Sequence, residues 1–510
     1  MAEVYLCGVD VGGSGTKTVL VDDAGRIVAD AFEPSRLIQP GPGQVEQDPE
    51  EMVGSALRTL AACLESSGAP ASRVAALAVD GQMAGICLID RGGQAVAPYD
   101  SWLDTRCAPY IERMRPHADR VLALTGAPPT YSHGPKILWW MHERPELFAR
   151  VARVVMPAAY VTGRLCGWRA EEAVIDPTYL HFSCLSDTRA GAWSEELCDL
   201  FGVPPDRLPR IVEPWAVVGR LTDEAAARTG LLPGTPVVAG CGDQAAAMLG
   251  AGILRPGMVY DAAGTASVLA MCVDRFAPDL EHRTLLAARL VPAGLWYAIG
   301  YVNGGGLNLR WWRDLLRGAD GRDRVEYGWL DEQAARTPAG ADGLLFVPHL
   351  GGRVCPPQPD LRGAWLGLTW THTTGHLWRA LLEGIACEYA LYLSVVHSLV
   401  PETRFEEVRV VGGGARSALW NQLKADLLGI PYVELNHPEA AALGSAILAG
   451  YGVGIFTDLE EAVGRYTVPT RCYTPNPETA APYRTLQEVY RQVVEDAGLW
   501  HRLARLRPVV

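Results

Sequence analysis

Apolar residues near the start of the chain fall in short unbroken runs. Val4 to Val11 is such a run, with Asp10 near its end, and the step Gly12-Gly13-Ser14-Gly15-Thr16-Lys17 leads into another at Thr18-Val19-Leu20-Val21. Asp22-Asp23-Ala24-Gly25 has the composition of a tight turn, and Ile27-Val28 resume the β pattern, which predicts a hairpin and then a further strand. From Pro49 to Ser67 the period changes. Met52, Val53, Ala56, Leu57, Leu60 and Leu64 share one helical face, entered through Asp48 as cap and Pro49 in the first turn. Val74 to Val79 predicts the next strand and ends in Asp80-Gly81-Gln82. Hairpins and helices alternate, so the pattern is that of an α/β chain with a mixed sheet.

A second round begins near residue 257. Val259 to Ala270 echoes Gly8 to Leu20: a hydrophobic run, an aspartate (Asp261), small residues, then a Gly264-Thr265 step and a resumed strand. Each round has a later strand ending in glycine, Leu77 to Gly81 in the first and Val408 to Gly414 in the second. This weak symmetry predicts two related lobes, residues 1–251 and 252–510, with a ligand cleft between them. Residues 318–324 and 337–343 are polar, glycine-rich loops, and Gln487 to Arg505 predicts a C-terminal helix.

Length and charge narrow the classes. At about 150 residues per domain, 510 residues make two or three domains. A formal net charge of -13 argues against a nucleic-acid-coating surface, which needs a basic face. No run of apolar residues is long enough to span a membrane, and strand-like sequence from Val4 leaves no room for a signal peptide. The 12 cysteines include no C-x-x-C pair, and Cys7, Cys87, Cys272 and Cys387 sit in apolar runs. Reduced thiols used as small hydrophobes, and hence a cytoplasmic protein, are expected.

Five stretches could carry chemistry. The first, Asp10 to Lys17, is neither a Walker loop, since Thr16 stands where its last glycine belongs, nor a dinucleotide fingerprint, since β sequence comes directly after it. As a tight turn it can aim N–H groups and the Ser14, Thr16 and Lys17 side chains at phosphate oxygens. Asp10 points at the same place and can hold Mg²⁺ through water. Gly264-Thr265 offers a matching turn from the other lobe. In Val237 to Gly250 a strand runs through glycines into a helix that starts at Asp243. The helix dipole is expected to keep that carboxylate ionised, ready to accept a hydrogen bond from a sugar hydroxyl and then its proton. Gly412-Gly413-Gly414-Ala415 allows close backbone approach by a flat ring or ribose, with Asn421 presented from the next helix. Gln82-Met83-Ala84-Gly85 and Trp102-Leu103-Asp104 supply acceptors and an aromatic face for a polyol. His133 and Lys136, beside Trp139 and Trp140, are expected in a core or interface. No H-E-x-x-H or G-x-S-x-G occurs, which removes the zinc protease and serine hydrolase readings.

These residues resemble the FGGY carbohydrate kinases, within the sugar kinase, hsp70 and actin superfamily, over about residues 4 to 480. The most specific match is the run Gly363-Ala-Trp365-Leu-Gly367-Leu368, seven residues, then His376-Leu377-Trp-Arg-Ala380-Leu381-Leu382-Glu383. The N-terminal signature is matched in part, by Tyr131, Lys136, Ile137 and Trp139, with His133 standing where a small hydroxyl residue or proline is usual.

The resemblance implies two ribonuclease-H-like lobes around a central cleft, with ATP and Mg²⁺ as cofactors. It implies Asp243 as catalytic base, and Asp10 with Asp243 at the metal. It places Gly13, Thr16 and Lys17 in the first phosphate loop, Gly264 and Thr265 in the second, and Gly412, Gly413, Ala415 and Asn421 at the adenosine. Gln82, Met83, Trp102, Asp104, Asp243 and Gln244 fall at the sugar. A homodimer is expected on the same ground, with no nucleic-acid or membrane partner.

Among subfamilies the chain looks most like the xylulokinases, through Val45 to Pro49, Gly81-Gln82-Met83 and Gly134 to Trp139. It departs at Ala84, where a histidine is usual, and at Leu103, the middle of a usual Trp-Asn-Asp. The expected reaction is ATP-dependent phosphorylation of D-xylulose to D-xylulose 5-phosphate. D-ribulose, L-xylulose, L-ribulose or a tetritol are alternative acceptors, and a non-catalytic nucleotide-binding protein is the rival class.

Overall fold

The computed structural model of the chain describes residues 3–316, 325–437 and 439–506. Six strands make the larger sheet of the first half: β1 (Tyr5–Val11), β2 (Gly15–Asp22), β3 (Ile27–Pro34), β4 (Val74–Gly81), β5 (Val217–Arg220) and β6 (Pro236–Val238). Seven make that of the second half: β7 (Met258–Ala263), β8 (Ser267–Val273), β9 (Leu286–Arg289), β10 (Trp296–Val302), β11 (Glu407–Val411), β12 (Tyr432–Leu435) and β13 (Pro469–Tyr473).

The first sheet is ordered β3-β2-β1-β4-β6-β5 and the second β9-β10-β8-β7-β11-β12-β13. Without β9 the two agree in direction as well. Each has two antiparallel steps, two parallel steps and an antiparallel edge strand. The faint echo along the sequence is therefore a repeat of topology, and the fold is the two-lobe α/β architecture expected.

The helix Pro49–Ser67 forms where the pattern places it. Asp48 caps it by accepting from Glu50 N at 2.9 Å, and Gly68 ends it in the left-handed region at φ 64°. Its apolar face closes the core over one side of the first sheet, with Val9, Leu20 and Val79. The chain between β4 and β5 builds a second core of its own around Ile86, Leu88, Tyr110, Leu138 and Leu180. In the second lobe the long helix Thr374–Leu399 is the centre of the core. Among the described residues it is the one helix long and apolar enough to cross a membrane, and 67% of its apolar window is buried. All 12 cysteines are free and most are buried.

One element crosses between the halves. The helix Ala440–Gly452 belongs to the second half by sequence but packs on β1, β4 and the Asp243–Gly250 helix. The contact is backbone on backbone. A Cβ on Gly8 would lie 1.8 Å from the Ala442 carbonyl oxygen, and one on Gly444 would lie 1.9 Å from that of Ala246. We therefore propose the 1–251 and 252–510 division with one amendment: the 440–466 segment packs with the first lobe.

Three local expectations are corrected. The first turn is only Gly12 to Ser14, because Thr16 and Lys17 already lie in β2. The tail is two helices, Ala480–Glu495 and Ala497–Ala504, broken where Asp496 turns to cap Leu499 N at 2.9 Å. The 337–343 loop contains a single 3₁₀ turn, Ala341–Gly343; the 318–324 loop lies outside the described residues.

Gly8→Ala should be strongly destabilising, by about 3 kcal/mol or more, because a rigid carbonyl cannot step aside as a side chain would. Urea unfolding measures it; a loss below ~1 kcal/mol would mean that the helix docks less closely.

Candidate active site

Parallel strands send their carboxyl ends to one edge, which is where open α/β sheets gather ligand groups. β1, β4 and β6 are parallel, so Asp10 to Gly13, Asp80 to Met83 and Gly242-Asp243 meet at one edge of the first sheet. Gly81 and Gly242 pair directly as a parallel bridge, setting Gln82 beside Asp243. The side chains confirm the convergence. A Cβ on Gly13 would lie 3.3 Å from Trp102 Nε1 and 3.5 Å from Gln82 Oε1, and one on Gly242 would lie 2.6 Å from Met83 Cε. Gln82 donates through Nε2 to Gln47 Oε1 at 2.8 Å, while its Oε1 is buried without a partner. Trp102 is 48% exposed, its ring available as an apolar wall.

Asp243 opens its helix after Gly242, whose N–H donates to Thr178 Oγ1 at 2.9 Å. The expectation that the helix dipole keeps this carboxyl firmly ionised is corrected. Burial, and then the Asp10 charge, push it up to about 7, while hydrogen bonds from Gln244 pull the other way. Burial likewise raises Asp10 to about 6. The same edge carries a third carboxyl that the sequence pattern does not single out. Asp80 is Asp10's direct partner in the β1–β4 register and is fully buried. Burial and the Asp10 charge hold it well above the usual carboxylate range. Its Oδ2 accepts from Ser445 Oγ at 2.6 Å, across from the 440–452 helix. Asp10 Oδ1 and Asp80 Oδ1 are buried without a hydrogen-bond partner, and none of the three carboxyls forms an ion pair among the described residues. The unpartnered Asp10 Oδ1 is free to accept from a metal-bound water, which would suit a hydrated Mg²⁺.

Other expected residues are close by but otherwise engaged. Asp104 is corrected from sugar ligand to loop staple. It is fully buried, Oδ2 accepts from Val45 N at 2.7 Å, Oδ1 accepts from Arg106 N at 2.9 Å, and Arg106 bridges it to Glu46. Lys136 holds the same loop from below through Asp100 and the Ser101 and Asp104 carbonyls. His133 is buried with its pKa pushed down to about 3 by burial, a neutral core histidine as expected. The Thr16 hydroxyl does not face the cleft, because it is buried against Ser55 Oγ at 2.7 Å. Lys17 pairs with Asp30 and lies 3.5 Å from Glu439.

At the second lobe, β7 and β11 are parallel and their ends meet as well. A Cβ on Gly412 would lie 3.0 Å from the Ala263 carbonyl oxygen, which places Gly264-Thr265 against Gly412 to Ala415. Gly264, Thr265 and Gly413 are exposed. A glycine run that sequence reasoning missed buttresses them: Gly306 N donates to Gly264 O at 3.1 Å and Leu307 N to Thr265 O at 3.0 Å. Asn421 is fully buried, its Nδ2 donating to Ala415 O at 2.7 Å, so it shapes the glycine loop rather than reaching a ribose. Asp261 is a further correction to the symmetry. Asp10 shares its side of β1 with Leu6, facing the 440–452 helix, whereas Asp261 shares its side of β7 with Val259 and Ala263, facing the core helices. The echo places the two aspartates on opposite faces.

The two halves pack together behind Asp243, where Ala247 and Met248 of its helix share one buried cluster with Tyr260 and Tyr297. After burial, the Asp243 charge is the next cause raising the Tyr260 and Tyr297 phenols, on β7 and β10 of the second lobe.

Known proteins share this fold. The model of the FGGY family of carbohydrate kinases, N-terminal domain, matches residues 5–250, and that of the C-terminal domain matches residues 262–453. The chain is 30% identical over 495 residues to the xylulose kinase of Bacillus subtilis (strain 168), covering 96% of each. It is 28% identical to the gluconokinase of the same strain, over 95% of this chain and 94% of that one. The crystal structure of xylulose kinase from Rhodospirillum rubrum superimposes with a TM-score of 0.88 at 29% identity, covering 98% of this chain and 100% of that one.

The raised carboxyls make a pH prediction. A group whose folded pKa lies above its unfolded value of about 3.9 binds its proton more tightly when folded, so its contribution to stability is lost as pH rises through the folded pKa. The unliganded protein should lose melting temperature between pH 5 and 8, and Asp243→Asn should melt higher than the parent at pH 8 with a shallower slope. Melting scans across pH test this; an unchanged slope would move the raised carboxyl elsewhere.

Proposed function

The chain belongs to the FGGY family of carbohydrate kinases, and on that premise we propose that it phosphorylates a neutral ketopentose, D-xylulose first, to give D-xylulose 5-phosphate. It is an ATP-dependent sugar kinase, and its substrate is a small sugar. The observation that carries the choice of a neutral acceptor is the charge of the cleft. The two cations touching the 99–106 loop, Lys136 and Arg106, are both spent on buried carboxylates, while Asp10, Asp80 and Asp243 lie at the floor without a cation. A sugar acid would bring its own negative charge there uncompensated. This favours the xylulose kinase among the relatives over the gluconokinase.

In this reading Trp102 and Met83 flank the carbon skeleton, and Gln82 Oε1, unpartnered, accepts from a sugar hydroxyl. An Asp243 carboxylate oxygen takes the proton of the attacking hydroxyl as its acidity rises on approach to phosphorus. A pKa near 7 suits that task, because the group is then ionised often enough at neutral pH yet basic enough to hold the proton. The glycine turns 12–14, 264–265 and 412–415 leave room for the triphosphate and base of ATP. Asp10 would hold Mg²⁺ with Asp243 near it; when bound, Mg²⁺ screens the charge on the transferring phosphoryl group.

Ala84 lies next to Met83 with φ 63°, a left-handed conformation that costs alanine about 1–2 kcal/mol. Histidine is enriched in that region relative to most side chains, so Ala84→His fits the backbone and returns an imidazole to the sugar site.

We also propose a cytoplasmic homodimer, on the free thiols and on the family's habit respectively. Light scattering should give twice 55.1 kDa; the single-chain mass would reject the dimer.

A coupled ADP assay across pentuloses, tetritols and gluconate, ranked by kcat/KM, tests the substrate. D-xylulose should lead and gluconate should fall at or near background. A lead of tenfold or more, about 1.4 kcal/mol, by another neutral sugar keeps the kinase and removes the xylulokinase assignment, and a lead by gluconate overturns the charge argument. Asp243→Asn should lower kcat by roughly 10²–10⁴-fold with ATP binding retained; near-normal turnover would remove the base. Ala84→His should move preference toward D-xylulose.

A further inference from the structure

We propose that Asp261 and Lys424 are positioning residues for the nucleotide, a buried ion pair that sets the spacing between the two loops on either side of it. The proposal rests on the reading of the second-lobe cleft as the ATP site. Asp261 lies two residues before the end of β7, which runs directly into Gly264-Thr265. Lys424 lies in the helix Ala418–Leu428, three residues after Asn421, whose amide holds the Gly412 to Ala415 loop through Ala415 O. Both charged groups are fully buried and in direct contact.

The geometry around the pair is complete on both sides. Tyr389 OH, from the long core helix, donates to Asp261 Oδ1 at 2.8 Å, while Lys424 Nζ takes Oδ2. The ammonium lies 4.3 Å from the centroid of the Trp420 ring and 4.9 Å from that of Tyr432. The Trp420 ring in turn fixes the glycine loop, because a Cβ on Gly414 would lie 2.5 Å from its Cζ3 and 2.7 Å from Ala263 Cβ. Pulling Lys424 away from Asp261 would therefore shift Trp420, Gly414 and Ala263 together. A buried pair is a poor source of net stability compared with apolar side chains of the same size. A charge pair with one fixed geometry is instead a way to hold two elements in register.

The test separates positioning from stability. Asp261→Asn with Lys424→Met removes both charges and nearly keeps the volume, so the double variant should melt close to the parent, whereas Lys424→Met alone should melt well below it. Calorimetric titration with ADP should show the double variant binding roughly tenfold more weakly, about 1.4 kcal/mol, while KM for the best sugar stays within about twofold. Asp261→Asn alone, which keeps the Tyr389 hydrogen bond, should fall between. Parental ADP affinity in the double variant, or equal losses for ADP and sugar, would overturn the positioning role. A parent protein that bound no ADP would remove the nucleotide reading itself, and this proposal with it.

Discussion

Three carboxyl groups brought together without a cation set the terms for everything around them in this molecule. Asp10 and Asp80 lie side by side on parallel strands, and Asp243 begins the helix beyond the third. Like charges at such spacing oppose folding, and burial adds to the cost. They are held there because the sheet edge is fixed by contacts that cannot yield: glycines against carbonyl oxygens, along a helix that returns from the far half of the chain. Burial raises all three carboxyls, and the Asp10 charge adds to it for Asp80 and Asp243.

Several other buried carboxyls have a cation beside them. Asp100 has Lys136, Asp104 has Arg106, Asp261 has Lys424, Glu383 has Arg379 and Glu388 has Arg353. In the case of Glu388 burial would raise the carboxyl, but the Arg353 charge prevails and holds it down at about 2. Asp176 and Asp279 are buried without a cation as well, but backbone N–H groups hold each of them singly, whereas the first-sheet edge brings three carboxyls together. The cation beside each explains why Asp104 and Asp261 are structural although each lies in a stretch that looked chemical. An aspartate that a lysine or arginine reaches is tied into the fold, and the partner can be far away in sequence, as Lys424 is from Asp261.

The division of labour between lobes has its origin in the same geometry. The first sheet ends in carboxyl and amide side chains, while the second ends in glycine turns. Both ends are built on the same order of strands, so one scaffold serves two purposes through the different turns attached to its strand ends.

The alternation of strands and helices, the Asp48-capped helix, the glycine steps at strand ends and the family are legible in the chain alone, because they depend on local periodicity, on turn chemistry or on a motif of fixed spacing. So are the helix start at Asp243 and the core position of Lys136. The surroundings of each acid are not legible there; only packing in three dimensions decides them. Asp80 escapes notice in the sequence because its meaning lies in the β1–β4 register and in Ser445, 365 residues away. The echo between Asp10 and Asp261 misleads because a one-residue difference in phase reverses the face of a strand. The contest at Asp243 between helix dipole and burial has the same character: the dipole is local to the chain, whereas the burial comes from residues far away in sequence that pack around its helix.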